Sequence, residues 1–380
     1  MFDTVMVVST GHAYFDKRVY LKCVEPLSKI FRKVLYISTQ KRIKSSFLVP
    51  DNVVDIFVGD MPIRTIERTL FWEKEFRRII YSQNCPLDLV VVHDIPFGYL
   101  FPNLFLDKMK KKYRCKVIID MHEYLPEILF PSLKENNLLT KLNDKVIVEP
   151  YALKADAYIA VCEYVKEYLR KKGVSEEKIY VSPNYAHASP QNFGAKNNAI
   201  GFVGRLIRQN GPRLIGELVK AAIDQFGYEF RFIGSKKESA IQLFSNKGLM
   251  DHEKVVFLGM LPYEEMLFEI SKLRFTISHF ELSAKNTIHS LPNKFFDSLV
   301  SKTPVIIPYQ LVEQRRILER FNLGYSIDLL SENWIRDIGE IIRDQKEYDR
   351  KMQNLDKYYT KFLWNSHEEE YLRFIRDIMK

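Results

Sequence analysis

Short continuous apolar runs alternate along the chain with longer segments whose apolar residues recur every three or four positions. Thr4–Ser9 (TVMVVS), Lys33–Ser38 (KVLYIS), Val53–Val58, Asp88–His93 (DLVVVH), Lys116–Asp120 (KVIID) and Ala157–Val161 (AYIAV) are the first set of short runs. Between them, Asp16–Ile30 places Val19, Cys23, Leu27 and Ile30 at helical spacing. Comparable periods run over 64–82, 97–113, 134–154 and 163–172. Continuous apolar strands suit a sheet covered on both faces, and regular alternation with helices predicts a parallel, doubly wound α/β domain. Residues 182–198 (SPNYAHASPQNFGAKNN) break the pattern: they are rich in Pro, Asn, Ser and Gly and have no apolar period, as a linker would. The alternation then restarts. Strands are predicted at 199–203, 228–233, 254–258, 273–278 and 303–307, and helices near 211–226, 236–247, 262–271, 293–301, 311–321 and 331–345. The final stretch, 364–380, reads as one amphipathic helix with Tyr371, Phe374, Ile375 and Ile378 on a face that needs a packing partner.

At 380 residues, 46% hydrophobic and 28% charged, the chain has the composition of a globular protein of two domains rather than a disordered one. No apolar run approaches the roughly 18 residues of a membrane span. The N-terminus carries Asp3, no basic stretch and no small-residue cleavage site, so no signal peptide is expected. Cys23, Cys85, Cys115 and Cys162 stand singly without a CxxC, which indicates neither a zinc site nor a redox motif and suits a reducing, cytoplasmic compartment. The formal net charge of +9 favours an anionic partner. Nucleic acid is the weakest candidate, because no zinc-finger, RNP or helix-turn-helix pattern occurs and Glu interrupts the basic runs. Basic and aromatic residues interleave in Arg64–Arg78, around Trp72, and cations crowd Lys108–Lys116. Both runs suit an anionic membrane surface, and both suit equally an amphipathic helix with a solvated face.

Ligands of doubly wound sheets bind beyond the carboxyl ends of the strands. Polar residues cluster there repeatedly. Gly11-His12 and then Asp16-Lys17-Arg18 follow the first strand, His93-Asp94 the fourth and Asp120-Met121-His122-Glu123 the fifth. In the second half, Gly204-Arg205 and Gly234-Ser235 follow strands directly, and a helix opens at Pro292. A helix start presents unpaired N–H groups and a partial positive charge, the natural host of a diphosphate. Ser290, Leu291 and Asn293 stand at that end, and Asp297, one turn in, is either a carboxylate able to accept from vicinal hydroxyls of a ligand or a solvated residue of an ordinary helix start. Arg205 can fork two diphosphate oxygens and neutralise a leaving group. His122 can donate to a ligand hydroxyl or steady a developing charge, and it reads as well as a structural hydrogen-bonder. Asp16 reads equally as an N-cap, and Glu123 and Glu127 equally as bases or as helix-start charges.

In order along almost the whole chain, FDKRVYLKCVEPLSK, VVVHDIP, IIDMHEYLPE, ADAYIAVCEYVKEYL, IYVSPN, FVGRL, VVFLGMLPYEEM and LPNKFFDSLVSKTPVI resemble the blocks of family 4, GT-B-fold glycosyltransferases of bacterial polysaccharide synthesis. The resemblance implies two Rossmann-like domains facing a cleft: an acceptor-binding domain at 1–184, a linker at 185–196 and a nucleotide-sugar-binding domain at 197–361, with the helix 362–380 crossing back to the first. It implies catalytic roles for His122 and Arg205. It places donor contacts at Gly204, Arg205, Arg208, Gly234, His289, Ser290, Leu291, Asn293 and Asp297, and acceptor-side residues at His12, Asp16, Arg18, His93, Asp94 and Glu123. Three positions depart from the pattern. Asn210 takes the slot of a family Lys, with Arg208 as a candidate substitute. His289 replaces the first carboxylate of a Glu-x7-Glu motif whose second position is Asp297. Lys302-Thr303 replace a small residue before Pro304. No D-x-D metal-binding pair occurs, so neither a metal nor a separate cofactor is expected, and the nucleotide-diphosphate sugar is the co-substrate. The implied reaction is retaining transfer to a glycan, lipid-linked at the inner membrane face. A nucleotide-sugar epimerase of the same fold is the alternative; it would consume the donor alone.

Overall fold

The computed structural model describes residues 1–9, 12–39, 48–59, 74–75, 78–79, 86–94, 102–124, 145, 149, 153–244, 246–278, 280, 282 and 284–380. The expected helices at 64–82 and 134–154, the aromatic–basic run around Trp72 and Glu127 lie wholly or mostly outside them.

The chain divides into two compact units, Met1–Pro183 with His367–Lys380, and Asn184–Ser366. Each holds one parallel sheet. In the first unit the strands β1 (Phe2–Ser9), β2 (Phe31–Ser38), β3 (Val53–Phe57), β4 (Leu89–His93), β5 (Lys116–Met121), β6 (Ala157–Ala160) and β7 (Ile179–Val181) pair in the order β3-β2-β1-β4-β5-β6-β7. In the second, β8 (Asn197–Val203), β9 (Glu229–Ile233), β10 (Val255–Gly259), β11 (Leu273–Ile277), β12 (Val305–Pro308) and β13 (Gly324–Ile327) pair as β10-β9-β8-β11-β12-β13. Both are doubly wound, with the order reversing between β1 and β4 and between β8 and β11. At such a point successive connections leave to opposite faces, and a crevice opens at the strand ends. The central strands are apolar on both faces, as that architecture demands: Val5–Val8, the whole of β4 and Ala199–Val203 are buried.

Local departures from the expected elements have identifiable causes. The segment after β1 winds as a π-helix over Lys17–Val24 before an α-turn at Glu25–Ser28. Pro26 has no N–H to give to an α-helical ladder, and the N–H of Glu25 reaches five residues back to the carbonyl of Tyr20. Every residue from Arg18 to Val24 is buried, Arg18 and Lys22 included, which a one-sided apolar period did not foresee. The helix expected over 236–247 is cut to Lys237–Ala240 and a short 3-10 turn. The helix near 331–345 ends at Arg343, and a further one runs from Gln345 to Tyr358, where no element was expected. Asp344 divides them: its carboxylate accepts from the N–H of Glu347 and caps the second. The helix after Pro292 spans Asn293–Val300, with Pro292 one step earlier than expected, as the N-cap.

After a bridge between Ala186 and Leu363 in the second unit, the chain returns to the first unit as the helix Glu368–Met379. Tyr371, Leu372 and Ile375 are buried there. Phe374 stacks on Tyr180 at 5.4 Å between ring centroids, and Lys29 pairs with Glu368 at 2.5 Å. No helix among the described residues is long and apolar enough to cross a membrane. Ile375 is fully buried, so Ile375→Ala is expected to destabilise the first unit by about 2–4 kcal/mol, the usual range for emptying such a site. Urea unfolding followed by far-UV circular dichroism reads the loss, and a neutral result would detach this helix from the core of the unit.

Candidate active site

In the first unit the strand ends on either side of the reversal point carry the chemistry. β1 ends at Ser9, with His12 just beyond; β4 ends at His93 and turns through Asp94; β5 brings Asp120 and then His122. Asp94 adopts φ 53°, a left-handed turn that Asp tolerates better than most residues. The turn aims its N–H at the carbonyl of Asp120, 2.8 Å away, and its Oδ1 at the N–H of His122, 2.7 Å away. Three imidazoles then form a line. His93 Nδ1 lies 2.8 Å from His122 Nε2, His122 Nδ1 lies 3.1 Å from His12 Nε2, and His12 Nδ1 lies 3.1 Å from Ser9 Oγ.

The π-helix delivers the counter-charge. Its N-cap is Asp16, whose Oδ1 accepts from the N–H groups of Arg18 and Val19. Arg18 is buried, donating from Nε to Asp120 Oδ1 at 3.2 Å and from Nη1 to the carbonyl of Ser182 at 2.7 Å. The other oxygen of Asp120 faces His93 Nδ1 at 3.3 Å and His122 Nε2 at 3.5 Å. Burial by itself would raise the Asp120 pKa, but the permanent charge of Arg18 and the imidazole hydrogen bonds outweigh it and hold the carboxyl well below its ordinary range. Burial lowers His122 to about 3 and also lowers His12, so both rings are neutral at pH 7. Asp94 is pushed well above its usual value, first by burial and then by the charges of Glu123 and Asp120.

Of the residues singled out on the acceptor side, the structure thus gathers His12, Arg18, His93 and Asp94 in one cluster with His122, which was expected to be catalytic. It places Asp16 at the helix cap and Glu123 on the exposed rim. Asp120 and Ser9, not singled out as site residues, turn out to be its anchors. Both sit at strand ends, the signal that could have found them.

The second unit repeats the arrangement at the ends of β8 and β9. Gly204 and Gly234 take φ of 97° and 93°, conformations that exclude side chains, and a Cβ on Gly234 would lie only 3.1 Å from the Cα of Gly204. Ser235 ties the turn together, donating to the carbonyl of Gly204 and accepting from the N–H of Leu206, both at 2.8 Å. Arg205 and Arg208 project from it, exposed and without an ion pair among the described residues. Asn210 is committed to the turn: its Oδ1 accepts from the N–H of Ile207 at 2.8 Å. Lys294, in the first turn of the Asn293 helix, runs its stem 3.9 Å from the Cβ position of Gly204 and lays its ammonium over the Phe202 ring at 4.2 Å. Loss of solvent lowers its pKa to about 7.

The remaining donor-side residues are spread around this end. Asn293 is exposed, Leu291 is buried, and Ser290 donates to the carbonyl of Thr287. His289 faces Glu313 at 3.8 Å. Asp297 is buried and accepts from the Tyr263 hydroxyl at 2.7 Å. Tyr263 and Lys294 went unnoticed in the sequence because their relevance depends on contacts between distant elements.

The histidine cluster makes acid stability predictable. A histidine whose folded pKa lies below its unfolded value of about 6.5 takes up its proton more readily when unfolded, so it contributes stability that falls as pH drops through that window. The melting temperature is therefore expected to decline from pH 7 to pH 5, and His122→Gln should flatten that decline. An unchanged slope in the variant would contradict the buried neutral imidazole.

Residues 7–187 match the family model described as Glycosyltransferase Family 4. No curated protein matches the sequence. Among solved structures, sucrose-phosphate synthase from Thermosynechococcus elongatus is 14% identical and superposes with a TM-score of 0.70, covering 100% of this chain and 99% of that one. HepE from Anabaena, in complex with UDP-glucose, is 12% identical with a TM-score of 0.70 over 99% and 100% of the two chains. WaaG, a glycosyltransferase involved in lipopolysaccharide biosynthesis, is 9% identical with a TM-score of 0.66 over 97% and 98%. At these identities the structural likeness speaks for the fold, two parallel-sheet α/β units of the GT-B kind, while the family match speaks for the activity: the chain is a glycosyltransferase whose residues 7–187, nearly all of the first unit's main segment, match the Glycosyltransferase Family 4 model.

Proposed function

We propose that the protein transfers a sugar, with retention of anomeric configuration, from a nucleoside-diphosphate donor to a glycan acceptor carried on a lipid. The observation that carries the donor half is the Gly204 turn: side-chain-free backbone, the exposed Arg205 and the start of the Asn293 helix meet at the carboxyl end of the central strand of the second unit. Such an end takes a diphosphate, with Arg205 forking its oxygens. Lys294 supplies the second cation that Asn210 does not; desolvation lowers its pKa to about 7, and an adjacent diphosphate raises it again. Asp297, fixed by Tyr263, orients the helix that reads the nucleoside, and His289 faces the donor sugar. HepE, similar in fold, is described with UDP-glucose bound, which supports a nucleotide sugar as donor.

In the first unit, His122 steadies the positive charge that grows on the sugar ring, through a ring nitrogen or its own carbonyl. Its backbone N–H is held by Asp94 and its ring by the line of imidazoles. His12, His93 and Arg18 shape the acceptor side. Leaving-group charge is met by Arg205, Lys294 and helix N–H groups, a set of fixed donors aimed where charge develops. The departing phosphate oxygen takes the acceptor hydroxyl's proton on the same face of the ring, so the diphosphate chemistry requires no metal ion. The lipid-linked acceptor rests on the net charge of +9 and on the fold shared with WaaG, described as acting in lipopolysaccharide biosynthesis.

Arg205→Ala is expected to slow turnover by about two to three orders of magnitude, the usual result of removing one electrostatic donor, while activity persists in excess chelator. Loss of activity on chelation, restored by manganese, would contradict the metal-free diphosphate site. NMR of the product sugar decides the stereochemistry: a retained anomer is expected, and an inverted one would require a side-chain base. Flotation with anionic vesicles is expected to show binding that weakens with salt; no binding at low salt would remove the membrane from the account.

A further inference from the structure

The atoms at the solvent-facing end of the histidine cluster are arranged as ligands. His122 Nδ1 stands 3.1 Å from His12 Nε2 and 3.5 Å from Asp94 Oδ2. A tetrahedral ion with bonds of about 2.0–2.1 Å separates its ligands by about 3.3 Å, and the two measured separations bracket that edge. The three residues follow the ends of β1, β4 and β5, so three neighbouring strands of the sheet bring them together. Each ligand is also supported from behind. His12 Nδ1 is held by Ser9 Oγ. The outer oxygen of Asp94 is aimed by the bond that its inner oxygen accepts from the His122 N–H. A metal on His122 Nδ1 puts that ring's proton on Nε2, where His93 Nδ1 waits at 2.8 Å and Asp120 Oδ2 at 3.5 Å, the latter anchored by Arg18. A histidine ligand whose far nitrogen is engaged by a carboxylate-anchored partner is the usual supporting shell of a metal centre.

We propose that His12 Nε2, His122 Nδ1 and Asp94 Oδ2 form a site for one divalent transition-metal ion of the zinc or cobalt type, with a fourth position open. Two imidazole nitrogens and one carboxylate oxygen are the donor set that zinc and cobalt accept and that magnesium and calcium do not favour. The facing nitrogens of His12 and His122 need a proton or a cation between them, and the ion replaces that proton. The inner set of His93, Asp120 and His122 is also close enough to ligate, but Arg18 already compensates its carboxylate, so the outer set takes the ion. Because the ion occupies His122, which the transfer reading assigns to the sugar, it inhibits transfer rather than assisting it. That last step rests on the proposed function; the site does not.

Chelator-treated full-length protein titrated with Co2+ tests the site without donor or acceptor. The expected result is a visible ligand-field absorption of four-coordinate Co2+ that saturates at one ion per chain and is bleached by Zn2+. His12→Gln and His122→Gln should each weaken binding by at least about tenfold, and His252→Ala, in the other unit, should not change it. Circular dichroism of the variants distinguishes lost ligands from lost folding. No absorption, or absorption indifferent to both His12 and His122, would overturn the site. Zn2+ that saturates the site yet leaves transfer unaffected would overturn only the inhibition, and failure to transfer any sugar would overturn the reading of the activity without touching the Co2+ result.

Discussion

The buried ion pair between Arg18 and Asp120 is the constraint on which the first unit's chemistry depends. A carboxylate inside a sheet's crevice is costly unless paired and fully hydrogen-bonded. Arg18 meets that demand through Asp120 and the Ser182 carbonyl, and it reaches them because the segment after β1 is wound as a π-helix capped by Asp16. With Asp120 fixed and ionised, its second oxygen orients His93 and His122; with those rings fixed, His12 falls into line. Removing one partner of such a pair leaves the other as an uncompensated buried charge, typically worth 3–5 kcal/mol, and would release the whole line of imidazoles.

The two units solve different problems with the same device. Each places its functional groups at the carboxyl ends of strands flanking the point where strand order reverses. The first fills that crevice with titratable side chains held neutral or ionised by their neighbours. The second clears it: Gly204 and Gly234 take conformations that side chains rarely adopt, approach each other closely, and leave backbone and the exposed Arg205 and Arg208 facing outward. The first arrangement suits a reacting sugar, whose charge changes during reaction. The second suits a diphosphate, which is charged from the start and needs room and N–H donors.

Much of this was legible in the sequence because it follows from period and position. Apolar runs gave the strands, and the rule that ligands sit beyond strand ends picked out His12, His93, Asp94, His122, Gly204 and Arg205 as candidates, all of which lie just beyond or at the ends of strands. What escaped depends on contacts between distant elements. Nothing local in Arg18 marks it as buried against Asp120, since its π-helix arises from Pro26 and from packing on all sides. Tyr263 beside Asp297 and Lys294 beside Gly204 are tertiary facts of the same kind. The short strands β7 and β13 were missed because three or four residues carry no period, and the helix Gln345–Tyr358 because its sequence, QKEYDRKMQNLDKY, offers few apolar positions to set one.

The central claim is that the second unit is built to hold a nucleoside diphosphate. It is tested most directly by thermal shift of the protein against a panel of nucleoside diphosphates and their sugar conjugates, alongside the corresponding monophosphates and nucleosides. At about 100 times its dissociation constant a bound ligand adds roughly 2.7 kcal/mol of stability. The account predicts a clear rise in melting temperature with at least one nucleoside diphosphate, little rise with the matching nucleoside, and loss of the difference in a chain carrying both Arg205→Ala and Lys294→Met. Equal shifts with diphosphate and nucleoside, or none across the panel, would contradict it.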